Sequence, residues 1–322
     1  MPGYQAALEG AAYRIYEHSS CLEVSGADQA AFLQRQTSND LRLLAAGRAL
    51  LSVLTSPTAR ILDVFIIQAR LDFLPADSKS AEALHLLSLP GRGGNSFRFL
   101  KSRVFFMDKV TISELSEAVS QIDLLGPQAA ALLKRLCGAP APPANHYQAV
   151  EIAGLSLRLL GLDPAIGLGT RLLFPAGQRA ELEQALQDGG AIRLSSEEYE
   201  IIRIENGLPG AESELDERFT PYEAGLGSAV SSSKGCYTGQ EVLARQATYD
   251  KITQGLRRLR LSGPLAPGQT LEVEGRPAGV ITSVAESPRQ GWIGLGVIKR
   301  AYLEAGQRLQ AGEVEAVVLE GS

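Results

Sequence analysis

Cysteine and histidine are scarce: Cys21, Cys137 and Cys236, and His18, His85 and His146, are the only ones in 322 residues. An odd cysteine count with no C-x-x-C pair argues against a disulfide scaffold and fits a reducing compartment. The histidines lie far apart, with no H-x-x-x-H or His/Cys cluster, so no metal or iron–sulfur site of familiar spacing is expected. The N-terminal stretch MPGYQAALEGAAYRIYEHSS lacks a basic region and a long apolar run, and no later segment reaches the ~20 apolar residues that span a bilayer. These absences predict a cytoplasmic protein with no membrane partner. Dense lysine/arginine blocks are missing too, and the net charge is −5. The electrostatic footprint of a direct nucleic-acid binder is therefore absent.

What is present is ordinary in bulk and specific in detail. Hydrophobic residues make up 45% and charged residues 21% of the chain, values of a soluble globular protein. The length suggests two or three domains. Leu22–Val24 reads as a strand, and Asp28 as the cap of a helix to about Gln36. Leu50–Leu54 and Ile61–Ile67 read as strands joined in a hairpin through Thr55–Arg60. Leu71–Leu74 is expected as a strand, Ser80–Leu89 as a helix, and Pro90–Ser96 as a glycine-rich surface loop without a phosphate-binding pattern. The aromatics of Phe99–Val110 are expected in the core. Ile122–Leu125 reads as a strand, followed by a helix opened by Pro127.

Ala139–Pro143 is the clearest linker. Beyond it, Ala149–Leu160 reads as a strand pair turning at Ala153–Gly154, and Gln178–Gln187 as a helix closed by Gly189–Gly190. Ser195 and Glu198 form a capping box ahead of a helix that ends near Arg203–Pro209. From Leu256 to Leu319, about six short strands punctuated by Gly and Pro predict a small barrel, with Trp292 in its core. The elements alternate without a strict βαβ repeat, which predicts an α+β fold with antiparallel pairing. The expected domains are 1–140, 141–250 and 251–322.

Ser231–Arg245, SSSKGCYTGQEVLAR, is the densest chemistry. Thr238 and Glu241 stand in capping-box relation, which predicts a helix from Thr238 with Cys236 just ahead of its amide end. The helix dipole and Lys234 would then favour a Cys236 thiolate, a nucleophile or redox thiol. The same geometry suits an anion beside Gly235 and Gly239. On spacing alone, a structural turn with a small buried cysteine and a solvated lysine is the commoner outcome. Lys234, Arg245 and the Arg257–Arg260 run are the basic residues available to a local pocket, the last alternating like the solvent face of a strand.

KGCYTGQE resembles the signature of the YgfZ family, folate-binding proteins linked to iron–sulfur cluster maintenance and related to the T-protein (aminomethyltransferase) of the glycine cleavage system. Three further stretches carry the resemblance. FLQRQTSNDL, from Phe32 to Leu41, is similar to the F-x-Q-x-Q-x-T-x-D motif, with Gln34, Gln36, Asn39 and Asp40 at its polar positions. Thr55–Asp63 is similar to L-x-P-x-G-R-x-x-x-D, with Ala59 in place of glycine, a departure that suggests a turn needing no positive φ or a slightly altered loop. Arg203–Pro209 is similar to R-x-E-x-G-x-P.

The resemblance implies a three-lobed, T-protein-like arrangement around a central cavity, a C-terminal barrel, and tetrahydrofolate or a one-carbon derivative as cofactor. It implies Glu205 as the pterin anchor, since one carboxylate can accept both donors of the pterin edge. It further implies Asp63, Asn39 and Arg245 as folate contacts, Cys236 as the working thiol and Lys234 as its electrostatic partner. The T-protein has two adjacent acids where this chain has Asp63 followed by Val64. The resemblance thus implies an accessory protein for iron–sulfur cluster assembly or repair, with assembly or client proteins as partners and support of tRNA-modifying enzymes. The alternative is a folate-dependent aminomethyl or one-carbon transferase. The acids between Glu212 and Glu223 are expected to be solvated.

Overall fold

The computed structural model describes residues 1–74 and 82–320. In chain order the elements are α1 (Pro2–Glu9), β1 (Ala12–Ile15), β2 (Cys21–Ser25), α2 (Gln29–Gln36), β3 (Leu50–Thr55), β4 (Ile61–Ala69), β5 (Leu84–Leu87) and α3 (Gly93–Ser102). They continue with β6 (Thr111–Glu114), β7 (Val119–Leu125), α4 (Ala129–Cys137), β8 (Tyr147–Ile152), β9 (Leu155–Gly161), β10 (Thr170–Pro175), α5 (Arg179–Asp188), β11 (Ile192–Arg193) and α6 (Ser196–Glu205). The last are α7 (Gln240–Thr248), β12 (Gln254–Leu261), β13 (Thr270–Val273), β14 (Arg276–Ser287), β15 (Gly291–Lys299), β16 (Arg308–Ala311) and β17 (Val314–Val318). The fold is α+β, with antiparallel pairing at every register described except the short β1–β11 pair.

Contacts divide the chain into two compact units. The first comprises residues 1–55, 62–196 and 229–238, and the second 56–61, 197–228 and 239–322. The expected boundary at 140/141 falls inside the first unit. The Ala139–Pro143 stretch is seated there: a Cβ at Gly161 would lie 2.2 Å from the Pro143 carbonyl oxygen. Proline supplies stiffness at this point, and the tight approach needs glycine opposite it.

The first unit holds a sheet of order β11-β1-β7-β10-β9-β8 and a second of order β3-β4-β5-β2-β6. Leu132 and Leu133 of α4 and Leu182 and Leu186 of α5 bury against the first sheet through Ile122, Leu159 and Phe174. The i, i+4 spacing on α5 and the alternation along the strands generate that face directly. Phe32 and Leu33 of α2 and Leu100 of α3 cover the second sheet through Val24, Phe65 and Leu86.

In the second unit, β12-β15-β14-β13-β16-β17 close into a barrel, and closure leaves no unpaired edge. Its core includes Leu259, Leu271, Ile281 and Leu309, with the partly buried Trp292 packed against them. Ile204 of α6 packs with Ile293 and Leu295 of β15, so the helix end is anchored to a barrel strand.

Several local expectations need correction. Residues 71–74 form a turn. Leu84–Leu87, read as helix, is the strand β5 and is buried at all four positions; a short apolar run has no period that separates the two. Ser80 and Ala81, the start of that expected helix, lie outside the described residues. The expected loop at 90–96 instead starts α3 at Gly93. Phe105 and Phe106, expected in the core, are 66% and 97% exposed. Ala59 adopts φ +61°, so the turn does need positive φ, and alanine takes that conformation without glycine's freedom. Helix α1, β1 and β10 went unread because none carries a strong periodic signal.

Candidate functional site

Residues 229–238 belong to the first unit and lie against the QTSND stretch nearly two hundred residues earlier. Ser231 donates its amide to the Ser38 carbonyl at 3.0 Å, and Ser38 donates its hydroxyl to the Ala229 carbonyl at 2.6 Å. Thr55 donates to the Thr238 carbonyl at 2.6 Å. The Lys234 ammonium donates to the carbonyls of Thr37 at 2.5 Å and Asn39 at 2.7 Å, and it stands 4.9 Å from the Tyr237 ring centre. Lys234 is only 5% exposed. Desolvation lowers its pKa to about 8, against an opposing pull from Asp40. Its charge therefore serves those carbonyls rather than standing solvated as a free partner for a thiolate.

Cys236 is exposed and free. The helix expected at Thr238 begins at Gln240, with Gly239 at φ +85° as its cap and no side-chain cap bond. The cap position falls on Gly239, one residue beyond Thr238, so the expected Thr238–Glu241 capping box is not the start of this helix. Cys236 thus precedes the cap residue Gly239 in sequence and is not itself at the cap.

Asp63, on β4, is fully enclosed. Its carboxylate accepts the hydroxyls of Ser88 and Ser96 and the amides of Leu89 at 3.1 Å and Val64 at 2.8 Å. Four donors fill the roughly four acceptor positions of a carboxylate. Asp63 thus joins β4, the end of β5 and α3, and has no face left for a folate. Burial raises its pKa, and the two serines and two amides only partly counter that.

Asn39 is likewise spent internally. Its side chain donates to the Leu51 carbonyl at 2.8 Å and accepts the Asp40 amide at 2.9 Å. Asp40 is bridged by Arg42, and its carboxyl lies well below the usual carboxylate range through that hydrogen bond.

In the second unit, Glu205 ends α6 and is 8% exposed. Its Oε1 accepts the Ser287 hydroxyl at the end of β14, and its carbonyl accepts Arg258 of β12 at 2.7 Å. Two residues earlier, Arg203 donates to Glu214 at 3.3 Å, to Glu200 and to the Ser283 hydroxyl at 2.8 Å. Glu214 is fully buried and also accepts Ser283 at 2.6 Å. Glu223 is 4% exposed and holds the Thr220 amide and Arg60. The acids expected in solvent at 214 and 223 are therefore structural, because each meets a buried donor set. Arg245 lies exposed on α7, whose buried residue is Leu243.

Of the expected site residues, the first unit gathers Lys234 with Asn39, through a direct bond, while Asp63 is locked into its own hydroxyl cluster. Glu205 is a nearly buried carboxylate that accepts the Ser287 hydroxyl, at a helix end packed on the barrel. Sequence reasoning missed Ser88, Ser96 and Glu214, since a serine or glutamate that answers a buried partner carries no periodic signal.

The family model of the GCVT N-terminal domain matches residues 14–234. The chain is 32% identical to the "Putative transferase At1g60990, chloroplastic" of Arabidopsis thaliana, over 94% of this chain and 69% of that protein. It is 25% identical to the aminomethyltransferase of Chloroherpeton thalassium, over 93% of this chain and 82% of that one. Among solved structures, the glycine cleavage system aminomethyltransferase T from Bartonella henselae superposes with a TM-score of 0.82. The match covers 99% of this chain and 88% of that one at 22% identity, a likeness of fold.

Proposed function

Because the chain belongs to the family of the GCVT N-terminal domain, we propose that it binds a reduced folate and acts as a folate-dependent aminomethyl or other one-carbon transferase. The observation that carries this reading is the extent of the relationship: aminomethyltransferases align with more than nine-tenths of the chain. Tetrahydrofolate, when bound, supplies the nitrogens that take up a one-carbon unit. Glu205 is the residue suited to hold its pterin edge, since a buried carboxylate accepts two neighbouring donors more strongly than an exposed one. Arg203, through Glu214 and Ser283, positions the helix that carries Glu205. The transfer does not run through Asp63, whose oxygens are already filled.

A second reading is favoured by one feature, the exposed Cys236 within KGCYTGQE. Under it the protein binds folate as an accessory to iron–sulfur cluster assembly or repair, and the Cys236 thiol is the working group. One experiment separates the two. Purified protein is incubated with tetrahydrofolate and an aminomethyl or methylene donor, and folate binding is measured alongside. Steady turnover supports the transferase. Folate binding without turnover overturns it and leaves the accessory reading. Equal folate affinity in wild type and Glu205→Ala refutes the anchor.

A further inference from the structure

We propose that the pocket beside Asp72 on the β8–β9 hairpin is a binding site for a small monocarboxylate with an apolar body. Arg158 is an arginine in the otherwise apolar run of β9 and is 2% exposed. Its Nη1 donates to the Ala69 carbonyl at 2.8 Å and to Gln68 Oε1 at 3.2 Å. Nη2 donates to the Arg70 carbonyl and to Asp72 Oδ2, both at 2.7 Å. The guanidinium lies 4.2 Å from the Tyr147 ring centre. A guanidinium has five N–H donors, and the Nε of Arg158 is buried with no acceptor. Gln68 Nε2 and Arg70 Nε, in the same cluster, are buried and unmatched as well.

Buried donors are almost always paired, because each unpaired one forfeits its solvation. A local excess of N–H groups asks for an acceptor, and the strongest is a carboxylate, which can take two guanidinium donors at once. Asp72 provides one oxygen only, and its side chain is 71% exposed. It is therefore a loosely held occupant that an incoming carboxylate can displace.

The cavity there measures about 340 Å³ and is lined by Asp72, Phe73, Ala149, Val150, Leu157 and Arg158; Ala149 pairs with Arg158 across the hairpin and shares its face of the sheet. That volume lies at the small end of ligand pockets, ~300–1,000 Å³. Glu151 and Asp72 line the same pocket and repel polyanions, so the ligand carries a single negative charge. None of Glu205, Lys234 or Cys236 lines this pocket, so the inference stands independently of the folate reading.

Benzoate is the probe, with benzamide as its neutral isostere, titrated into the full chain by calorimetry and amide chemical shifts. Saturable benzoate binding that benzamide does not match is expected, with shifts at Val150, Leu157 and Arg158. Asp72→Asn should tighten benzoate about threefold to fivefold, the worth of one exposed ion pair. Ala149→Trp, a change at an exposed position of the edge strand β8 directly opposite Arg158, fills the pocket and should abolish binding while the thermal transition persists. The proposal is overturned if benzamide binds as well as benzoate, if Ala149→Trp leaves binding intact, or if Asp72→Asn shows no saturation up to ~10 mM benzoate.

Discussion

The ammonium of Lys234 bonds the main-chain carbonyls of Thr37 and Asn39, at 2.5 and 2.7 Å. It is the most direct tie between the KGC stretch and the QTSND turn, and it is made by a lysine that the medium hardly reaches. Lys234→Met keeps the length and removes the donors, so it should cost about 1–3 kcal/mol, the penalty for leaving buried acceptors unpaired. The denaturant midpoint at constant m-value reports this. The pH dependence has a definite sign. The folded pKa, about 8, is below the unfolded value, so the unfolded chain binds more protons above pH 8 and stability rises with pH until the unfolded lysine titrates. The advantage of wild type over Lys234→Met should therefore widen from pH 8 towards 10. A constant difference across that range removes the buried-ammonium account.

Asp63 has the opposite linkage. Its folded pKa is raised by burial, so its contribution is fully present below the unfolded carboxyl pKa and is lost as pH rises through the folded one. Asp63→Asn should flatten this acid-to-neutral slope in unfolding free energy, measured by urea titration at several pH values. Asp63→Ala should lose about 1–3 kcal/mol at any pH, since two hydroxyls and two amides lose their acceptor. Folate affinity in Asp63→Asn should equal wild type; a tenfold loss would return Asp63 to the site.

The cysteines should separate by reactivity. Cys236 is exposed, whereas Cys21 is fully buried and its thiol is pushed up to about 12 by desolvation. Alkylation of the native protein followed by peptide mass analysis should label Cys236 within minutes and Cys21 only on unfolding. Cys236→Ser should leave thermal stability unchanged.

The Arg203–Glu214 pair is buried on both sides, with Ser283 closing the network. Removing one partner leaves an uncompensated charge, so Glu214→Ala should destabilise by about 3–5 kcal/mol. Because the same network holds the end of α6, Glu214→Gln should weaken folate binding through Glu205. Unchanged affinity with lowered stability would confine the pair to folding.

The barrel, the β8–β9 hairpin and α5 were legible in the chain because each rests on local signals: period-two alternation, a turn at Ala153–Gly154, a Gly–Gly stop. The β5 strand and the start of α3 were not. Leu84–Leu87 is buried on both faces, which erases the period, and the glycines at 93 and 94 read as loop until packing against β2 makes them helical. Capping showed the same limit at Thr238, since the helix begins at Gln240 with Gly239 as its cap.

Local chemistry determined the fold class and the C-terminal barrel, because periodicity and turn residues are written along the chain, and the resemblance of short motifs supplied the candidate site residues. Only the tertiary structure decided which of them are available. Asp63, Asn39 and Lys234 are answered by partners from 12 to 197 positions away, and no sequence pattern at those positions encodes a bond made across such distances. Burial gave two expected folate contacts, Asp63 and Asn39, and the expected thiolate partner Lys234 internal partners, while the same physics left Arg158 with a donor and no acceptor.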